Sequence, residues 1–360
     1  MSAETPMTTP SSAGAATFQP AGSNLPTAAD QAGLSSPSNG DIPPKAQGGH
    51  NAPGKVRAGD RIFHGLATGS AMMITVIIAA IGAFLLWRAV PALRNNTENF
   101  FTYSGDWNTA TTSAMHFGIP NLFFVTVTVS LVALVLAMPV ALGIAIFLAQ
   151  YCPQRFVKPI AFVVDLLAAV PSIVFGLWGA QVLGPKLGGF YEWIHSWAGQ
   201  FILFKTFANS PAFATSRNLL TGGIVLAIMI LPVIAATARE VFVQTPQGHI
   251  ESALALGATR WEVVRLTVLP FGFSGYISGA MLGLGRALGE TMALYLVISP
   301  SSEFRGSLFD GGTTFATAIA NAAQEFNNNI QAGAYISAGL VLFLLTFVVN
   351  AIARAIVAKR

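Results

Sequence analysis

The sequence of 360 residues is 53% hydrophobic and only 9% charged, against roughly 25% charged in ordinary globular domains, and its mean hydropathy is +0.60. So few charges cannot coat a soluble protein of this size, and one cysteine, Cys152, excludes a disulfide scaffold. Five scattered histidines beside that single thiol suit no zinc or iron–sulfur centre, and a net charge of +4 spread along the chain is too mild for a nucleic-acid footprint.

An integral membrane protein follows. Residues 1–58 stand apart from the rest: they are rich in Ser, Ala, Gly and Pro without apolar periodicity, the composition of a disordered tail. Gly49, Gly54 and Lys55 there imitate a phosphate-binding loop, but Val56 stands where Ser or Thr is needed, and neither a strand before nor a helix after is expected. Six apolar stretches then follow, near 67–89, 119–149, 157–182, 219–243, 272–299 and 332–356, each able to supply the roughly 20 residues that a bilayer requires. The second and third are joined by a short connection containing Pro153 and Arg155. Pro139, Pro171 and Pro232 fall inside spans, where neighbouring helices can re-satisfy the freed carbonyls. The alternating pattern of a β-barrel is absent, so the expected class is all-α with six spans.

Lys and Arg set the orientation. With the N-terminus inside, one side holds Lys45, Lys55, Arg57, Arg61, Arg155, Lys158, Arg239, Arg260, Arg265, Arg354, Lys359 and Arg360. The other holds Arg88, Arg94, Lys186, Lys205, Arg217 and Arg305, twelve against six. Both termini are therefore expected in the cytoplasm. The loop over residues 301–330, polar and rich in Asn near Asn327, reads as solvated and external.

The connection over residues 244–271 carries the most information. It begins as a helix through Glu251, Gly257 breaks it, and a second amphipathic stretch ends at Leu269 and Pro270. Leu254 with Trp261, and Val264 with Val268, fall at apolar spacing, while Arg260, Glu262 and Arg265 face water. That pattern fits a helix docking into another protein's groove and equally one lying on lipid headgroups.

Arg286 falls near the middle of the fifth stretch, where insertion costs roughly 2.5–3.5 kcal/mol, so it must face protein or a wet cavity. Glu290, four residues on, is expected on the same helical face. The two either neutralise one another to hold the bundle, or present a guanidinium to an anion in a pathway. Gly275, Gly279 and Gly283 recur every four residues, a seam for close approach of another helix. Asp165 in the third stretch reads as a hydrated acid near the interface, with an ion pair to a neighbouring helix as the other reading.

The spacing of Glu251, Ala253, Gly257, Leu269 and Pro270 resembles the EAA loop of ABC-importer permeases, with Ser252 and Thr267 as mild departures. Residues 285–293, Gly-Arg-Ala-Leu-Gly-Glu-Thr-Met-Ala, resemble the signature of the PstC-type permeases of phosphate importers. The stretch Leu-Ala-Ala-Val-Pro-Ser-Ile-Val-Phe-Gly-Leu-Trp-Gly over 167–179 is similar to a second segment of that family. Met292 and Ala293 after Glu-Thr favour it over the sister PstA type. The resemblance covers about residues 60–360. It implies a type I (MetI-like) permease domain over 59–360 in a prokaryotic cytoplasmic (inner) membrane, with a cytoplasmic coupling helix around Glu251 to Gly257. It further implies a PstA-like partner in a heterodimer, two PstB-like ATPase subunits carrying ATP and Mg, and a PstS-like phosphate-binding protein. Such a chain hydrolyses nothing itself and binds no cofactor. Arg286 and Glu290 would line the path of phosphate during alternating access. A permease for sulfate or molybdate, or a secondary anion transporter built on inverted repeats and broken helices, are the competing readings. A membrane-embedded enzyme lacks a histidine near any mid-membrane carboxylate.

Overall fold

A computed structural model describes residues 58–109, 114–206, 210–301, 306–323, 326 and 328–358. The expected tail, apart from Ala58, lies outside these residues, as do the phosphate-loop imitation and the charges of Arg305, Lys359 and Arg360. The chain divides into two units, Met1–Ala67 and Thr68–Arg360. The described part of the first is the opening of helix α1 (Ala58–Arg94), with Ile62, Phe63 and Leu66 exposed.

In the second unit α1 continues, followed by α2 (Pro120–Ile146), α3 (Gln154–Ala168), α4 (Ser172–Trp178), α5 (Gly184–Ala198) and α6 (Pro211–Ala214). Then come α7 (Leu219–Val243), α8 (Gln247–Ala255), α9 (Arg260–Val263), α10 (Leu269–Leu288), α11 (Met292–Val297), α12 (Phe315–Ala322) and α13 (Asn329–Ala358). The described residues contain no strand, only two isolated β-bridges, Asn96 with Met115 and Asn108 with His116. Among the described residues five helices are long and apolar enough to cross a bilayer, and one bent pair makes six if it counts as a single span.

Four of the six expected stretches are continuous helices, and 219–243 coincides with α7. The other two are broken. Over 157–182, α3 stops at Ala168 and Pro171 caps α4, the axes before and after the break differing by 85°. Proline removes a ladder donor and drives the residue before it out of the helical region. Over 272–299, α10 stops at Leu288 and helix resumes only at Met292.

The central stave is α7, with Leu226, Ile230 and Ile234 fully buried. Against it pack α2 and α10. Lipid tails are as apolar as leucine, so association depends on close packing, which small residues permit. On α2 the buried stripe is Ala133, Ala137, Ala141 and Ala145. On α10 the glycine seam lies on α7: a Cβ at Gly279 would sit 3.0 Å from Thr237 Cβ, and one at Gly283 would sit 2.9 Å from Ile234 Cγ1. Tyr276 adds a cross-helix bond, its hydroxyl donating to Met138 O of α2 at 3.0 Å.

The expectation of a solvated loop after residue 300 is overturned. Residues 299–301 and 306–312 are stitched to the start of α7: Ser299 N–H donates to Arg217 O (2.8 Å), Leu219 N–H to Asp310 O (3.0 Å) and Leu220 N–H to Leu308 O (2.9 Å). The last two bonds satisfy donors that a helix start leaves open. Phe309 and Phe315 are buried, and Thr314 with Thr317 forms the capping box that opens α12. The threonines of this segment read as loop in sequence, yet Thr314 and Thr317 start a helix. Asn327 lies outside the described residues.

Candidate functional site

Two regions hold the residues singled out by sequence. The first projects from the C-terminal end of α7. Pro246 opens α8, which has no buried residue; Glu251 is exposed and Ala253 half-buried. Gly257 takes φ +86, the left-handed conformation that glycine adopts without penalty. Around it Gly257 N–H donates to Leu254 O (2.9 Å) and Ala258 N–H to Ala253 O (3.1 Å), closing the end of α8. Thr259 then starts α9 through a capping box: its Oγ1 accepts from Glu262 N–H at 3.3 Å, and Glu262 Oε2 accepts from Thr259 N–H at 2.7 Å.

Val263, Val264 and Val268 are buried, and a π-helical turn over Val264–Val268 joins α9 to α10. Leu269 packs on the core, and Pro270 follows directly on the π-helical turn in the first turn of α10. Val264 and Val268 thus anchor the loop as their spacing predicts. Leu254 and Trp261 do not pair; with Gly257 between their helices, both are left exposed. Leu256 at 90% and Trp261 at 59% exposure, flanked by the exposed Arg260, Glu262 and Arg265, give an apolar patch with a charged rim.

The second region is the break between α10 and α11. Arg286 is half-buried on the last turn of α10, and among the described residues no hydrogen bond or ion pair engages its side chain. Glu290 is 9% exposed. The expected contact between them within one helix is absent. The helix ends at Leu288 before the fourth residue is reached, and Glu290 instead turns into α11, its Oε1 accepting from Ala293 N–H at 3.1 Å. That carboxylate therefore caps a helix start, where negative charge is favoured. The break is held by Glu290 N–H to Ala287 O (3.3 Å) and Thr291 Oγ1 to Gly289 O (3.3 Å).

The two broken helices meet. A Cβ on Gly176 of α4 would lie 2.7 Å from Ala293 Cα, so α4 and α11 are in backbone contact one turn beyond Glu290. Sequence reasoning noted residues 167–179 only as a resemblance; the Gly176 contact shows what that segment does. Asp165 on α3 is exposed and, among the described residues, forms no ion pair, in keeping with a hydrated acid.

Apolar spans interrupted part-way, a half-buried guanidinium without a partner among the described residues, and a projecting helical loop with an apolar patch are features of a membrane permease that works with another protein. The chain belongs to the family described as binding-protein-dependent transport system inner membrane component, which it matches over residues 141–360. It is 52% identical over 301 residues to the phosphate transport system permease protein PstC 2 of Mycobacterium tuberculosis, covering 83% of this chain and 92% of that one. The PstC of Mycobacterium leprae is 52% identical over 298 residues, 82% of this chain and 92% of its own, and that of Mesorhizobium japonicum 38% over 297, with 82% and 89% covered. Among solved structures, the inward-facing MetNI methionine ABC transporter overlaps 66% of this chain and 94% of its own at 17% identity and a TM-score of 0.48. Broken helices, set out above as a mark of secondary transporters, here occur in a permease of the binding-protein-dependent family.

Proposed function

We propose that this chain is the membrane-spanning permease subunit of an ATP-driven phosphate importer. The observation that carries the reading is the 52% identity, over 83% of the chain, to a permease named for phosphate transport. Its partners are a PstA-like permease, two PstB-like ATPases that bind ATP and Mg, and a PstS-like phosphate-binding protein. Both termini and the α8–α9 loop face the cytoplasm.

In this account the α8–α9 loop seats in the ATPase. Glu251 lies on its exposed face, Ala253 and Gly257 close α8, and Leu269 with Pro270 passes the displacement into α10. Because the π-helical turn makes α9 and α10 continuous, movement of the loop is carried along α10 to Arg286, seventeen residues or about 25 Å away. There a guanidinium without a protein partner meets the anion, its planar donors matching tetrahedral oxygens. Glu290 holds α11 in place and keeps negative charge on the far side of the break. Alternating access follows from tilting α10 against α7 across the glycine seam.

Uptake of labelled phosphate at low concentration, with sulfate in parallel, tests the proposal in cells lacking the gene and complemented with wild type, Arg286→Gln or Arg286→Lys. Phosphate uptake alone should depend on the gene, falling at least tenfold with Gln and less with Lys while membrane levels hold. Sulfate uptake that tracks the gene would transfer the proposal to another oxyanion. Normal transport by Arg286→Gln would remove Arg286 from the pathway.

A further inference from the structure

At the end of the bundle where α7 begins, a cavity of about 330 Å³ opens between α11, α12 and the segment before α12. Arg217 lies on its wall together with Tyr295, Thr313 and Asn321, and among the described residues no acidic side chain lines it. Arg217 Nε is buried and, among the described residues, has no hydrogen-bond partner. Among the described residues no carboxylate pairs with its guanidinium. A buried, unsatisfied donor on a full positive charge is the least comfortable state for an arginine, and such groups call for a specific counterpart.

The described surroundings do not supply one. Thr314 and Thr317 spend their hydroxyls on one another in the capping box, and Thr313 Oγ1 donates to Ser301 O at 3.4 Å. Asp310, close in sequence to the lining Gly312, already accepts from Ser210 Oγ (3.1 Å) and Gly311 N–H (2.9 Å). Asp106 lines a neighbouring cavity of about 410 Å³, which shares Thr313 and Asn321 with this one. The root of Arg217 is meanwhile held on both sides. Ser216 adopts φ +55, rare for a residue with a side chain, and its carbonyl accepts from Thr221 Oγ1 at 2.6 Å. Arg217 O accepts from Ser299 N–H at 2.8 Å. Strain of this kind persists where the surroundings impose it, and it is concentrated at binding sites.

We infer that this cavity is a second oxyanion site, in which a tetrahedral phosphoryl group accepts from Arg217, with the Asn321 amide and the Tyr295 hydroxyl as neutral donors. Its volume leaves room for an anion with part of its water, and a guanidinium fork matches phosphoryl oxygens in pairs. The site is distinct from Arg286: neither Arg286 nor Glu290 lines it, and its α11 wall begins at Leu294, beyond the break that ends α10 at Leu288. The inference rests on the proposed function for the identity of the travelling anion, and on the proposed orientation for placing this cavity at the outer mouth. Arg217 would then take the anion first and hand it along α11 towards the break. The same phosphoryl chemistry is offered by free phosphate and by a phospholipid headgroup.

The test uses the full chain with Cys152→Ser and Asn321→Cys, purified once in lipid-free detergent and once in phosphatidylglycerol nanodiscs. The rate at which a neutral maleimide labels the new thiol is measured with inorganic phosphate or with chloride at equal ionic strength. Phosphate should slow labelling at least threefold in detergent, Arg217→Gln should abolish the protection and Arg217→Lys should keep part of it. Protection that appears only on transfer into nanodiscs, and is lost with Arg217→Gln, makes a lipid headgroup the occupant of the same site. Labelling indifferent to both phosphate and lipid, or protection that survives Arg217→Gln, overturns the inference. Thr313→Cys repeats the measurement from the opposite wall if Asn321→Cys folds poorly. Wild-type uptake is measured separately: gene-dependent phosphate uptake without protection defeats this site alone, and protection without phosphate uptake defeats the transport reading alone.

Discussion

The contact between α10 and α7 can be tested by filling the glycine seam and then removing what the filling strikes. In Gly283→Ala the new Cβ would lie 2.9 Å from Ile234 Cγ1 and 3.0 Å from Ile234 Cδ1, well inside the roughly 3.5–4.0 Å at which carbon atoms attract. Overpacking of this kind costs about 1–3 kcal/mol, while alanine in place of glycine within a helix returns about 1 kcal/mol. The single variant should therefore be destabilised by about 1 kcal/mol. Ile234→Ala removes both struck atoms and is itself expensive, about 2–5 kcal/mol. Once it is in place only the helix-propensity term remains, so Gly283→Ala should then stabilise by about 1 kcal/mol. The sign reversal amounts to a coupling of about 2 kcal/mol, within the range for residues in contact. Unfolding in mixed micelles by added dodecyl sulfate, followed by tryptophan fluorescence, gives all four corners of the cycle. Equal effects of Gly283→Ala in both backgrounds, within about 0.5 kcal/mol, would refute the packing described for these helices.

Three further outcomes are expected. Trp261→Ala and Leu256→Asp, both at exposed positions, should leave unfolding unchanged and weaken binding of the purified ATPase, by about 2 kcal/mol or roughly thirtyfold if Trp261 is an interface anchor; wild-type affinity in both would show that the ATPase docks elsewhere. Thr259→Ala removes the cap of α9 and should cost about 1 kcal/mol in the same unfolding assay, whereas Thr259→Ser, which keeps the acceptor, should cost little. Glu290→Gln retains an oxygen for Ala293 N–H and should unfold as wild type does, while Glu290→Leu strands that donor and should lose about 1–3 kcal/mol; identical stability of the two would remove the capping role.

The class of protein and most of its helices were legible in the sequence because lipid imposes long apolar runs that few other constraints produce. The limits of α7 were readable to the residue, since Asn218 caps the run through Thr221 N–H at 2.9 Å and no polar residue intrudes between Thr221 and Thr237. Which proline would break a helix was not readable. Pro139 and Pro232 lie inside continuous helices, and Pro171 divides one. The ladder bond lost is the same in all three cases, and the outcome depends on neighbours far away in sequence. At Pro171 the bend brings Gly176 under Ala293. The expected pairing of Arg286 with Glu290 assumed a 3.6-residue repeat across Gly289, where the helix has already ended. Arg217 was counted only as one external cation. The signal available for it was its position directly before the Asn218 cap, at the boundary of an apolar run.

The stitching of Ser299, Leu308 and Asp310 to the start of α7 has a mechanical consequence. Backbone bonds tie Arg217 to Ser299, Leu219 to Asp310 and Leu220 to Leu308, so the start of α7 and the end of α11 form one stiff block, with α4 clasped to it through Gly176. The interruptions at Ala169–Pro171 and Gly289–Thr291 are the places where the helical ladder is already open. Compliance is therefore concentrated at two joints that lie near each other. A lever arm such as α10 can swing below them while the block above keeps its shape, and no helical hydrogen bond has to break in either position.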